Sequence, residues 1–505
     1  MSVSGTSSSS TSLNVQSLVD TRLRLDELQR QLGTGTKSAD YAGVGLDRGL
    51  AVGMRQQLST LASYTDNVTT VDTRIDLAQT VLTGISTQAQ NVRSAARLSG
   101  FQIDNTGQTQ DQKIAKTALD AMLGLLNSQF GDRYLFAGRA TDQPAVESTA
   151  HVLDGDTTRA GLKQIIAERN QADLGSGLGR LLIPPVVPPG TGTAVSVSED
   201  VAGSPFGFKL AGVSSTLTNA TVTGPAGTPP AIGVDFAGGN PNAGDTLKLS
   251  FNLPDGSTED LSLTATTATP PGTNEFTIGA SPAATAANLQ AALTTAVGKL
   301  ARTSLSAASA MAAADNFFNM DAANPPQRVA GPPFATATSL TAATPANTVF
   351  WYTGEAGSDP ARGTAVARAD QSITVAYGLR ANEQAIRKSV QQVAVFAAVT
   401  FTTTDPDARD RYAALSQKTA GGLDPQPGQQ KIVDISADLA TAHATLDAAK
   451  QRHAQTKAML EDMLQHVEGI SQEEVAAQLM AVNTRLQASL QTTALLSKTT
   501  LVNYL

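Results

Sequence analysis

The chain has 505 residues, of which 41% are apolar, 4% aromatic and 16% charged, with a formal net charge of −8. That acidic balance speaks against a nucleic-acid binder, which needs a basic face to neutralise phosphates, and no stretch reaches the roughly 20 apolar residues that cross a bilayer. Cys is absent and His occurs only as His151, His443, His453 and His466, so disulfides and thiolate metal sites are excluded.

The chain begins MSVSGTSSSSTSLNV. It carries neither a basic n-region nor an apolar h-region, so it reads as a flexible polar lead rather than a secretory signal. Composition then divides the chain in three. Residues 12–138 are helical in pattern, 141–372 are rich in Gly, Pro, Thr and Ala, and 373–505 are helical again, apart from a Pro/Gly interruption between Asp405 and Gln429. A first helix carries Leu18, Leu25, Leu28 and Leu32 and stops at Gly33 and Gly35, as glycine C-capping requires. A second shows a coiled-coil seam: Met54, Leu61, Val68, Ile75, Leu82, Ala89 and Ala96 stand seven apart, accompanied by Gln57, Tyr64, Val71, Ala78, Ile85, Val92 and Ser99. A third, about Asp111 to Phe130, carries Ile114, Ala118, Ala121, Leu125 and Leu126.

The middle alternates. Leu247, Leu249, Phe251 and Leu253 precede an Asp255-Gly256 turn, and Leu261 and Leu263 follow it, which predicts a β-hairpin. Phe276 and Ile278 predict a short strand, and Ser281-Pro282 opens a helix through Leu300. TVFWYTG (348–354), with the single Trp, predicts another strand, and IPPVVPPG (183–190) a loop. The C-terminal part repeats the heptads, with Ile432, Leu439, Leu446, His453, Leu460 and Val467 as one series and Ile435, Ala442, Ala449, Thr456, Met463 and Ile470 as the other. GISQEE then breaks the helix, with Ser471 as N-cap and Glu474 completing a capping box. The last helix carries Val475, Leu479, Val482, Leu486, Leu490, Leu496 and Leu501. The fold class that follows is mainly α at both termini, an antiparallel coiled-coil or helical-bundle rod, with a β-rich α+β central insert.

Chemistry is sparse. GVGLDRG (43–49) is GxGxxxG with no preceding strand, so a loop between helices outweighs a nucleotide site. His443 and His453 stand ten apart, which places them on different faces of a helix or nearly so, and Glu473-Glu474 sit in a first helical turn where the macrodipole favours them. No residue set points to a catalytic centre, a cofactor or a metal. The outermost helices instead have apolar faces that need partners and are marginal alone in water, which points to folding coupled to assembly. Leu18, Leu25, Leu28 and Leu32 are expected to pack against Leu479, Val482, Leu486, Leu490 and Leu496, with Leu501 and Tyr504 at the end of the structure they build.

Four segments resemble one family. GDRYLFAGRATDQPAV (131–146), the L-x-T-G-x-K turn at Leu32–Lys37, ITVAYGLRANEQAIRKSV (373–390) and the ending LQASLQTTALLSKTTLVNYL (486–505) are similar to the bacterial flagellin family, and most to its hook–filament junction members. GFQIDNTGQTQ (100–110) lacks the F-N-G-x-x-L-L run common in filament flagellins. The resemblance implies a structural, non-enzymatic subunit of the flagellum, exported through the flagellum's own channel without a cleaved signal and extracellular in its final place. It implies 1–45 and 470–505 as inner-tube helices, disordered before assembly, 46–146 and 370–469 as a helical rod, and 147–369 as an outward-facing insert. Its implied partners are copies of itself, the hook-side junction protein, flagellin and a cytoplasmic export chaperone, with no nucleic acid and no membrane. Filament flagellin, a coiled-coil surface adhesin or phage-tail component, and a nucleotide-dependent enzyme built on GVGLDRG are the other readings.

Overall fold

A computed structural model describes residues 6–98, 100–320, 324–424 and 426–502. In chain order, α1 (Thr6–Thr34) leads through a 3-10 turn (Tyr41–Asp47) to α2 (Arg48–Leu98) and α3 (Gln110–Leu126). Two short strands, β1 (Gln129–Phe130) and β2 (Arg133–Tyr134), precede α4 (Thr149–Asp154) and α5 (Leu162–Leu174). The strands β3 (Leu181–Leu182), β4 (Ala194–Glu199), β5 (Lys209–Ser215), β6 (Thr221–Ala226), β7 (Ala231–Asp235), β8 (Thr246–Asn252), β9 (Thr258–Thr266) and β10 (Glu275–Thr277) follow. Then come α6 (Pro282–Leu300), one π turn, α7 (Ser306–Phe318) and the pairs β11 (Gln327–Val329) with β12 (Leu340–Ala342) and β13 (Val366–Arg368) with β14 (Thr374–Ala376). The chain closes on α8 (Gln384–Ala398), α9 (Ala408–Gly422), α10 (Ile432–Glu468) and α11 (Gln472–Val502).

The chain separates into two compact units. One holds 1–71, 368–375 and 444–505; the other holds 72–367 and 376–443, so the division falls inside α2 and inside α10.

In the first unit α1 packs on α11. The N-terminal half of α2 buries Ala51, Met54, Val68 and Val71, and α10 buries Leu446, Ala449, His453 and Leu460. Apart from Ala51, which lies before the predicted repeat, these are the predicted heptad positions; Gln57 and Thr456, polar members of the series, face solvent. Gly35, at φ +68°, ends α1 in the left-handed region that only Gly adopts without strain.

In the second unit α2 continues the seam with Ile75, Ala78, Leu82, Ile85, Ala89, Val92 and Ala96, all buried. Two four-stranded sheets, in the orders β3-β4-β7-β6 and β10-β9-β8-β5, share a core with α6. The predicted hairpin is β8 against β9, in register at Leu249↔Leu261. Strand alternation carries Phe251 and Phe276 into that core, and Leu289 and Leu293, four apart on one face of α6, meet them there with Phe208. Helices α3, α5, α7, α8 and α9 pack against one another beside it.

Several expectations are corrected. The described part of α1 starts at Thr6, inside the lead expected to be flexible, because Ser and Thr weaken a helix without breaking it. TVFWYTG forms no strand; it makes single bridges, Val146↔Tyr352 and Ala160↔Thr348, while the Trp351 indole donates to the Phe318 carbonyl at 2.9 Å. On α3 the buried stripe is Gln112, Ala115, Ala118, Leu119, Met122, Leu123 and Leu126, which leaves Ile114 outside. The interruption between Asp405 and Gln429 contains the whole of α9.

Candidate assembly interface

The first unit brings the two ends of the chain together through their backbones. The Lys37 N–H donates to the Glu468 carbonyl at 2.8 Å and the Ile470 N–H to the Gly35 carbonyl at 3.1 Å. The Lys37 ammonium reaches the Val467 carbonyl at 3.0 Å. The L-x-T-G-x-K turn and the GIS break before α11 are therefore one structure. Within α1, Arg30 forks onto Glu27, with Nε 2.9 Å from Oε2 and Nη2 2.6 Å from Oε1, and the hydrogen bonds from that guanidinium hold the Glu27 carboxyl below its usual range. Gln31 donates to the Lys37 carbonyl at 2.7 Å, which fixes the path of the chain after the helix.

The predicted packing residues divide by exposure. Leu28 is fully buried, and Leu18, Leu25, Leu32, Leu479, Val482 and Leu486 are half-buried. Leu490 faces outward at 53% exposure. Leu496 and Leu501 lie on α11, but their side chains fall outside the described ones, and Tyr504 lies outside the described residues. Sequence reasoning missed a second stripe. Val15, Val19 and Leu23 stand four apart along α1 and are all more than half exposed, with Met480 and Leu495 similarly bare on α11. Their i, i+4, i+8 spacing was the signal that marks them as one helix face.

The second unit joins the two other signature segments. The Gly138 N–H donates to the Leu379 carbonyl at 3.0 Å and the Ala381 N–H to the Phe136 carbonyl at 2.8 Å, so the Y-L-F-x-G run lies beside Y-G-L-R. Arg380 sends its guanidinium to the carbonyls of Gly357, at 2.8 Å, and Asp359. Phe136, Ala137 and Ala381 are fully buried, while Tyr134 and Leu135 are half-buried. In GVGLDRG, residues 43–47 belong to the 3-10 turn and Arg48 and Gly49 open α2; the turn is capped by Asp40, whose carboxylate accepts from the Gly43 N–H at 3.2 Å.

Residues 7–141, about a quarter of the chain, match the family model described as the bacterial flagellin N-terminal helical region. No curated protein matches the chain. The matched region ends within the segment beginning GDRYLFAG and contains α1, α2 and α3. Among the described residues no helix is long and apolar enough to cross a membrane.

Proposed function

We propose that this chain is a structural subunit of the flagellum that joins hook to filament, in the manner of flagellar hook-associated protein 3, and that it works by helical self-assembly without catalysis. The observation that carries the reading is the bare apolar stripe Val15, Val19 and Leu23 on α1. A water-exposed stripe of this kind marks an association surface, and its helix lies inside the stretch that matches a flagellin region. The absence of F-N-G-x-x-L-L at 100–110 favours the junction role over the filament.

In this reading residues 1–45 and 470–505 line the inner tube, 46–146 and 370–469 form the rod, and 147–369 face outward. Leu18, Leu25, Leu28, Leu32, Leu479, Val482, Leu486, Leu490, Leu496, Leu501 and Tyr504 pack the tube within and between copies. Copies meet head to tail, so contacts do not close into a dimer but propagate. The chain reaches the cell exterior without a cleaved signal, and a cytoplasmic chaperone covers the apolar C-terminal helix before export.

The test is electron microscopy of a strain lacking the gene, with an assay of the medium. Bare hooks with flagellin lost to the medium support the junction role. Bare hooks with no flagellin made or shed identify the chain as the filament. Unchanged flagella remove both. Leu486→Asp, which puts a charge on a half-buried position, is expected to abolish assembly while the second unit stays folded.

A further inference from the structure

A cavity of about 360 Å³ lies in the second unit, lined by Arg74, Arg133, Tyr134, Thr364 and Tyr377 among others. That size falls at the lower end of small-ligand sites. Three arginines line it and no carboxylate does. One of them, Arg139, is already neutralised, with Nη1 2.8 Å from the Glu355 carboxylate. The other two are not. Arg74 donates to the Tyr377 hydroxyl at 3.2 Å and lies 5.1 Å from the centre of the Phe130 ring, and its Nε is buried without a partner. Among the described residues neither Arg74 nor Arg133 makes an ion pair. Two uncompensated guanidinium groups on one concave wall are unusual in a chain with 44 acidic and 36 basic residues.

From this we infer that the cavity is a binding site for a carboxylate. The guanidinium fork matches a planar carboxylate and gives charge-assisted hydrogen bonds. Phosphate sites draw heavily on free backbone N–H groups. Here four of the lining N–H groups are already spent: Tyr134 donates to Thr141, Tyr377 to Ala365, Gly378 to Arg362 and Gly138 to Leu379. The arginine forks supply the positive charge. The carboxylate comes either from a small free acid or from an acidic side chain of a second copy, and the chemistry at the arginines is the same.

The test is calorimetric titration of the full chain with glutarate, a mimic of an acidic side chain, and in parallel with inorganic phosphate. Saturable binding of one glutarate per chain, tighter than phosphate, is expected. Arg133→Gln, at an exposed and unpaired residue, and Arg74→Lys, which keeps charge but loses the fork, each weaken it by roughly tenfold. Thermal unfolding of both variants checks that the wall is intact. Light scattering of the same samples separates the sources. Glutarate that slows self-association identifies the second copy, and glutarate that binds without effect identifies a free acid. No saturable glutarate heat, phosphate binding as tightly as glutarate, or unchanged binding in both folded variants overturns the inference.

Discussion

Arg55 on α2 forks onto Glu468 at the end of α10, with Nε 3.1 Å from Oε1 and Nη2 2.5 Å from Oε2. Glu468 is also the residue whose carbonyl accepts from the Lys37 N–H. One residue thus ties three chain segments: its side chain holds α2, its carbonyl holds the turn after α1, and its position ends α10. The glutamate side chain is mostly covered and the arginine half exposed, at 11% and 52%, so the pair is partly screened. Glu468→Ala is expected to cost about 1.5 kcal/mol of local stability and to raise hydrogen exchange at Lys37 and Ile470 first. Unchanged exchange there would show that the backbone bonds hold the ends without the fork.

His453 occupies a heptad position where apolar residues stand above and below it. It is 3% exposed, its Nδ1 lies 3.4 Å from the Thr65 hydroxyl, and its ring lies 6.1 Å from that of Tyr64. Its Nε2 is buried without a partner. An unpaired buried polar atom costs more than an apolar group of similar volume. His453→Leu is therefore expected to raise the stability of the first unit by about 1 kcal/mol, read as slower exchange along α10. Faster exchange would mean that the imidazole fulfils a polar need the leucine cannot.

The heptads were legible because burial in a helix pair repeats every seven residues, and Val68, Ile75, Leu82, Leu439 and Leu446 are all buried as that repeat requires. The Asp255-Gly256 turn and the Ser281 cap were legible because each is a local demand on a few residues. The sheet containing β4 and β7 was not read, although Val195 and Val197 alternate with serines, because such a short run carries a weak signal. Helix α9 was hidden between the Asp405-Pro406 start and glycine-rich flanks. The Arg55–Glu468 fork and the arginine cavity join residues remote in sequence, and no local pattern announces them.

Tyr412 sits among Phe101, Phe396 and Phe401, with ring centres 5.6 to 6.0 Å away. Its hydroxyl donates to Asp111 at 3.1 Å, and burial pushes it above its ordinary value of 10.0. Above that pH the unfolded chain gives up the proton while the folded chain keeps it, so stability falls as pH rises from 10 toward the folded value. Tyr412→Phe is expected to flatten this alkaline slope while costing stability at neutral pH through the lost hydrogen bond. Parallel slopes for the two proteins between pH 9 and 12 would place the alkaline sensitivity elsewhere.

The hairpin tip is held by a residue far along the chain. Lys418 on α9 reaches Asp255 Oδ2 at 2.7 Å and Ser257 Oγ at 2.6 Å. Burial pushes the Asp255 carboxyl up, but the hydrogen bonds from Lys418 and Ser257 and the lysine charge outweigh it and hold the carboxyl below its usual range. Both side chains are largely covered, at 18% and 13% exposure, so breaking the pair leaves a charge in a poor solvent. Lys418→Met is expected to cost about 2 kcal/mol at neutral pH. A depressed carboxyl contributes stability above its unfolded value, near 4, and loses it as pH falls through the folded one. The difference between Lys418→Met and the parent should therefore be full at pH 6 and shrink below about pH 4, measured by urea unfolding at each pH. A difference that stays constant down to pH 2 would assign the effect to packing of the lysine stem rather than to its charge.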